Sequence, residues 1–148
     1  MNLVNYPELI CCIVGWFVAS LLKIPTYYIL HRKLNLVQAF GTGGMPSSHS
    51  ATVTATTLAI GLFSGFDSPA FAIAFALSMI VIYDAAGVRR EAGYHAVALN
   101  KLIDEYFTGP LIDQKKLKEV IGHTPLEVVG GVMTGLMTTL ILWLVWPK

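Results

Sequence analysis

Long apolar blocks separated by short polar stretches dominate the chain. The most continuous block runs from Leu126 to Trp146, and Glu127 is its only charged residue. Because a helix needs about 20 apolar residues to cross the hydrocarbon core of a bilayer, this block predicts a membrane-spanning helix. Three blocks that are shorter or interrupted give further predicted spans at about residues 10–30, 50–66 and 69–88. We therefore expect one integral membrane domain over residues 1–148, an all-α bundle of about four transmembrane helices.

The longest polar stretch, residues 89–124, separates the third predicted span from the last. Within it, residues 91–107 have apolar positions at helical spacing, and residues 113–122 resemble a short helix that stops at Gly122. We predict that both are amphipathic helices on the membrane surface. In the last span, Gly131 and Gly135 form a GxxxG pair, which favours close helix packing and makes a homodimer possible.

Composition excludes an ordinary water-soluble domain. Of the 148 residues, 55% are hydrophobic and 13% are charged, and the formal net charge is +1. Most basic residues gather in two segments that alternately crossing helices would place on one side, which the positive-inside rule predicts to be cytoplasmic. The adjacent Cys11 and Cys12 are interpreted as small buried hydrophobes, so no disulfide is expected. No metal site and no nucleic-acid partner are expected either.

The first polar cluster is GTGGMPSSHSATV, residues 41–53, directly before the second span. Ser47 or Ser48 can cap the helix that follows, and the free N–H groups of its first turn favour an anion such as phosphate. A purely structural role, a helix cap after a glycine turn, would account for most of these residues. However, an imidazole in the first turn of a membrane helix is costly unless it faces water or protein partners, so His49 indicates a functional site.

Two more clusters stand where predicted spans end or begin. In IYDAAGVRREAGYH, residues 82–95, Asp84 lies nearest the apolar block and is expected to pair with Arg89 or Arg90, although arginines at such ends usually reach lipid headgroups. In GHTPLEVVGGVMTG, residues 122–135, the spacing of Thr124 and Glu127 predicts a capping box. The capping box accounts for the presence of Glu127 but not for that of His123.

These three blocks, in this order, resemble the signatures of the type 2 phosphatidic acid phosphatase superfamily, which includes the vanadium haloperoxidases, and in particular its divergent, YuiD-like branch. The sequence PSSH, residues 46–49, resembles the Pro-Ser-Gly-His signature with serine in place of glycine. The sequence HTPLE, residues 123–127, resembles His-x-x-x-Asp with glutamate in place of aspartate. The resemblance runs from about Lys23 to Gly135.

The spacing of the last signature departs from the superfamily pattern. There the arginine and the second histidine lie five residues apart, a gap that Arg89 and His95 keep, whereas His123 follows only after the long insertion. Four residues beyond His95 stands Leu99 rather than an acid. We therefore take His123 as the counterpart of the family nucleophile and His95 as the reserve.

The resemblance implies hydrolysis of a lipid phosphate or lipid diphosphate through a phosphohistidine, without a metal or other cofactor. His123 would be the nucleophile, Glu127 would orient its ring, and His49 would protonate the leaving oxygen. The expected phosphate-binding residues are Lys23, Ser47, Ser48, Arg89 and Arg90, supported by Asp84, Gly44 and Pro46. Two alternatives stay open: a lipid-phosphate binding or transport protein, and an inactive scaffold with the same fold.

Overall fold

The structure, a computed structural model, describes residues 6–36, 41, 43–106, 117 and 122–147. The described residues form five helices, which are α1 (Pro7–His31), α2 (Ser48–Ser64), α3 (Pro69–Ala86), α4 (Val88–Tyr106) and α5 (Pro125–Val145). The described residues contain no strand. The prediction of an all-α protein is confirmed.

Short polar side chains start three of the helices. The side chains of Ser47, Ser68 and Thr124 each accept a hydrogen bond from a backbone N–H of the first turn of α2, α3 and α5. These bonds satisfy N–H groups that have no partner within a helix. The local sequence thus sets where α2 and α5 begin, and these are the helices that follow the PSSH and GHT motifs.

Helix α2 lies at the centre of the bundle, in contact with α1, α3 and α5. Its Ala51, Ala55 and Ala59 are completely buried and recur every fourth residue on one face. A Cβ added to Gly15 of α1 would lie 2.7 Å from the Cβ of Ala55, and one added to Gly135 of α5 would lie 2.5 Å from the Ala51 carbonyl oxygen. Small residues therefore let three helix backbones approach closely, as is typical of membrane bundles.

The number of membrane-spanning helices differs from the expectation of about four. By length and composition, three stretches within the described residues can cross a membrane: Pro7–His31, Pro69–Glu105, which joins α3 to α4, and Pro125–Val145. Helix α2 has 17 residues, which correspond to about 25 Å at 1.5 Å per residue. It is at the lower limit for a span, and its small, buried residues serve helix packing.

The insertion before the last span begins with a long helix. Helix α4 starts at Val88, directly after Gly87 ends α3, and continues to Tyr106. The helix predicted over residues 91–107 is thus present and starts earlier than expected. The second predicted amphipathic helix, residues 113–122, lies almost entirely outside the described residues.

The GxxxG pair of the last span is used within the chain. A Cβ on Gly131 would lie 2.3 Å from the carbonyl oxygen of Ser47, and Gly135 meets Ala51 in the same way. This face is covered by α2 and is not free for a second copy. A homodimer stays a prediction, and it would have to use another face.

Candidate active site

Four segments of the chain meet at one end of the bundle. They are the last turns of α1, the loop before α2, the junction of α3 with α4, and the start of α5. The three polar clusters of the sequence are therefore neighbours in space. This end of the bundle is therefore the candidate active site.

The loop before α2 is held against α1. Lys23 is 2% exposed, and its Nζ donates to the carbonyl oxygen of Gly41 at 3.0 Å. Thr26 Oγ1 donates to the carbonyl oxygen of Met45. Gly44 has a φ of 85°, in the left-handed region where glycine is favoured. The loop can thus turn sharply and bring Pro46, which is buried, to the start of α2.

The two serines of the PSSH motif have different environments. Ser47 is completely buried, its N–H donates to the Glu127 carbonyl oxygen at 2.9 Å, and its Oγ accepts from the N–H of Ser50 at 3.3 Å. Its predicted contact with phosphate therefore competes with a capping role. The N–H groups of Ser48 and His49 have no hydrogen-bond partner in the described part of the chain. They are available to an anion at the positive end of the α2 dipole.

His123 returns to the end of α3 despite the insertion. Its N–H donates to the carbonyl oxygen of Ala85 at 3.1 Å. The preceding Gly122 lies so close to the first turn of α4 that an added Cβ would be 2.4 Å from the backbone nitrogen of Arg90. These contacts place His123 beside Arg89 rather than in the solvent.

The imidazoles of His49 and His123 face each other. Their ring centroids are 6.3 Å apart, and the ring planes meet at 75°. His49 is exposed, whereas His123 is 3% exposed and neither of its ring nitrogens has a hydrogen-bond partner among the described residues. A buried polar group without a partner costs about 1–3 kcal/mol. Such groups are rare in folded proteins and call for an explanation, such as a catalytic role.

Burial is the main influence on the protonation of His123. It lowers the pKa of the imidazole below the ordinary value of 6.5. The negative charge of Glu127 opposes this shift, while the positive charges of Lys23 and Arg89 and the neighbouring His49 lower the pKa further. His123 is therefore neutral at pH 7, the state that a nucleophile requires.

Glu127 forms the predicted capping box. Its Oε2 accepts from the N–H of Thr124 at 2.9 Å, and Thr124 Oγ1 accepts from the N–H of Glu127 at 3.3 Å. The hydrogen bond that we expected between Glu127 and the ring of His123 is not formed, because this carboxylate oxygen is directed to the backbone of its own helix turn. Its charge nevertheless acts on His123, as the pKa shift shows.

The side chains of the two arginines in the second cluster point to different partners. Arg89 Nε lies 2.6 Å from Asp84 Oδ2, the pairing that the sequence predicted. Arg90 Nε donates to Tyr94 Oη at 3.0 Å and its guanidinium lies 5.6 Å from the centre of that ring. Arg89 is thus the arginine whose charge reaches the histidines, while Arg90 is directed along α4.

A cavity of about 330 Å³ adjoins this site. Lys23 and Glu127 form part of its wall, together with the last turns of α1 and with Gly44 and Met45 of the loop. Both charged residues also influence the pKa of His123. Neither His49 nor His123 lines this cavity, so its connection to the site is through Lys23 and Glu127.

Comparison with known proteins identifies the family of the chain. A family model described as the Divergent PAP2 family matches residues 4–138. The chain belongs to the divergent PAP2 family. It is also 41% identical over 151 residues to the uncharacterized membrane protein YuiD of Bacillus subtilis (strain 168), and the alignment covers 95% of both chains. No solved structure matches the chain.

In this member of the divergent PAP2 family, the structure brings most of the predicted site together. The residues at the common end of the bundle are Lys23, Gly44, Pro46, Ser47, Ser48, His49, Asp84, Arg89, His123 and Glu127. His95 is exposed on α4, and its charge is not among those that shift the pKa of His123. As functional assignments, all of these residues stay predictions.

Sequence reasoning missed two residues that shape the site. Thr26 ties α1 to the loop before α2, and Gly122 allows the segment with His123 to approach α4. Thr26 stands one helical turn beyond Lys23, so both side chains lie on one face of α1. This spacing is the signal from which Thr26 could have been predicted. Nothing in the sequence around Gly122 distinguishes a close approach from an ordinary helix stop.

Proposed function

We propose that this membrane protein hydrolyses a lipid phosphate or lipid diphosphate through a phosphohistidine formed on His123. One observation supports this above the others: the buried imidazole of His123, whose two nitrogens have no hydrogen-bond partner among the described residues, faces that of His49 with 6.3 Å between the ring centres. Membership of the divergent PAP2 family supports the same reaction class. A site at the end of membrane helices favours a substrate with an apolar tail and a phosphate head.

The reaction would take two steps. In the first, a ring nitrogen of His123 attacks phosphorus, the P–O bond to the leaving group breaks, and His49 protonates the departing oxygen. In the second, water attacks the phosphohistidine, His49 takes the water proton, and the P–N bond breaks with its electron pair returning to His123. The products are inorganic phosphate and the leaving group, which is the lipid alcohol for a monophosphate substrate and the lipid monophosphate for a diphosphate substrate.

Charged and dipolar groups would stabilise the transition state. Lys23, Arg89 and the free N–H groups at the start of α2 can neutralise the equatorial oxygens of the transferring phosphoryl group. Asp84 would hold Arg89 in place through their ion pair. Glu127 would act by its charge, which favours the cation that develops on His123, rather than by a hydrogen bond to the ring.

The experiment is phosphate release from lipid monophosphates and diphosphates in detergent micelles, with a chelator present and no metal added. We expect release by the natural chain and a loss of at least about 10³-fold in the His123→Ala variant. The matched control is His95→Ala, which removes the exposed histidine of α4 and should retain activity. A phosphorylated His123 should also be trapped when the reaction is quenched under alkaline conditions, which preserve phosphohistidine.

The result also separates the rival functions. Equal release by the His123→Ala and natural chains, or loss of release in His95→Ala alone, would refute the mechanism. If the folded natural chain releases no phosphate from any lipid but moves lipid phosphates between the leaflets of vesicles, and His123→Ala does the same, the protein is a transporter. If replacement of His49, His123 and Glu127 leaves its cellular role intact, it is a scaffold.

A further inference from the structure

The strongest unassigned feature is the contact between the backbone of Gly122 and the first turn of α4. A Cβ at Gly122 would lie 2.4 Å from the nitrogen of Arg90, 2.5 Å from its Cα and 2.8 Å from the carbonyl carbon of Arg89. All three atoms belong to the backbone of a helix, so no flexible side chain can move aside. Any side chain at position 122 would force the two segments apart.

Space, not backbone conformation, requires a glycine here. The described glycines with positive φ are Gly43, Gly44 and Gly65, and Gly122 is not among them. An alanine at position 122 would therefore not meet the strain of a positive φ. Its effect would arise from the contact with α4 alone, which makes the substitution a clean probe of that contact.

The next residue along the chain is His123, whose N–H donates to the carbonyl oxygen of Ala85 at 3.1 Å. Two consecutive residues thus rest on the α3–α4 junction, the segment that also carries Arg89. If Gly122 is pushed from α4, His123 must move with it, away from Arg89. For reacting groups, a displacement of about 1 Å can reduce the rate about 10²-fold.

We propose that Gly122 is a positioning residue, which sets the imidazole of His123 against Arg89 and His49 by allowing direct backbone contact with α4. The activity part of this inference rests on the proposed phosphatase function. The position of His123 does not, because the chemical reactivity of its ring can be measured without any substrate. The proposed phosphatase function and the positioning role of Gly122 can therefore be refuted separately.

The test compares Gly122→Ala with Gly130→Ala in detergent. Gly130 also lies near the start of α5, but its added Cβ would meet the flexible end of the Met45 side chain at 3.2 Å. The first readout is the rate at which diethylpyrocarbonate modifies His123, measured by mass spectrometry relative to the exposed His95 in the same molecule. We expect Gly122→Ala to raise this relative rate at least about threefold, because a displaced ring loses its burial, while Gly130→Ala leaves it unchanged.

The second readout is phosphate release. We expect kcat of Gly122→Ala to fall about 10- to 100-fold with KM within about twofold of the natural value. The reason is that the ring of His123 moves relative to Arg89, while Lys23 and the N–H groups at the start of α2 keep their positions. A folded Gly122→Ala variant with natural reactivity of His123 and natural kcat would overturn the proposal. If the natural chain releases no phosphate, the phosphatase function fails and the reactivity of His123 alone decides the role of Gly122.

Hydrogen exchange on the natural chain covers the case in which Gly122→Ala does not fold. If the contact holds His123 in place, its backbone N–H should be protected to the same degree as that of Arg90, which bonds to the carbonyl oxygen of Gly87 at 2.9 Å. Exchange of the His123 N–H at the rate of an open loop, with Arg90 protected, would refute the proposal.

Discussion

Replacement of Lys23 with methionine should lower activity without lowering stability. Lys23 is 2% exposed, and its Nζ donates a hydrogen bond to the Gly41 carbonyl oxygen. A hydrogen bond to a charged group contributes about 1.5–3 kcal/mol. Burial of an ammonium ion costs several kcal/mol, so an apolar residue of similar length should leave the fold equally stable or more stable.

The catalytic cost should be large. Lys23 is close enough to lower the pKa of His123, and a phosphate beside that ring would lose a preorganised cation. Removal of one such group typically reduces kcat about 10²- to 10³-fold. The assay pairs phosphate release with thermal unfolding followed by circular dichroism, and Lys33→Met, which changes an exposed lysine just beyond α1, is the matched control.

The combination of results decides the role of Lys23. Activity reduced at least about 10²-fold with an unchanged or higher Tm places the lysine in the phosphate site. A fall in Tm of more than about 4 °C with full activity would refute the reasoning, because it would mean that the buried ammonium stabilises the loop and does no chemistry.

Three further predictions concern the start and the middle of α5. Glu127→Gln should keep the hydrogen bond with the N–H of Thr124 and therefore an unchanged Tm, measured by circular dichroism. Phosphate release should show a kcat about tenfold lower, because the cation that develops on His123 loses its counter-charge. The lowered pKa of His123 should make the folded state less stable as pH falls below 6.5, since the unfolded chain then binds the extra proton; His123→Asn should show a smaller loss of Tm between pH 7.5 and 5.5. Gly135→Ala should lower the free energy of unfolding by about 1–3 kcal/mol, because its Cβ would lie 2.5 Å from the Ala51 carbonyl oxygen; equal stability to the natural chain would contradict this packing.

Features that depend on a few neighbouring residues could be predicted from the sequence. The capping box follows from the spacing of Thr124 and Glu127, and the helix after PSSH follows from its serine cap. The ion pair of Asp84 with a neighbouring arginine follows from the cost of an unpaired carboxylate near a membrane. In each case, partners within about five residues satisfy a local physical requirement.

Features that depend on distant contacts could not be predicted. Arg89 and Arg90 are adjacent in sequence, yet neighbouring residues differ by about 100° around a helix axis, and only packing decides which one reaches the histidines. Glu127 was expected to serve both a cap and His123. Its carboxylate accepts the hydrogen bond of the cap because Thr124 is three residues away in the same turn, so this contact forms with little loss of conformational freedom.

The candidate site forms despite a long insertion between Arg89 and His123. The family signature has five residues between the arginine and the histidine, whereas 33 residues, 90–122, lie between Arg89 and His123 in this chain. Closure of the longer loop costs only about 1.7 kcal/mol more, because the entropic cost grows with the logarithm of loop length. Hydrogen bonds can offset this cost at about 0.5–1.5 kcal/mol each.

The structure provides such bonds at both ends of the returning segment. Asn100 of α4 donates to the carbonyl oxygen of Leu117 at 2.9 Å and accepts from its N–H at 3.0 Å, and the N–H of His123 bonds to Ala85. Three bonds of ordinary strength exceed the additional closure cost. Distance along the chain is therefore no argument against His123. His95 has the five-residue spacing of the family signature, but it is exposed on α4. His123 is buried and faces a second imidazole, as the proposed chemistry requires.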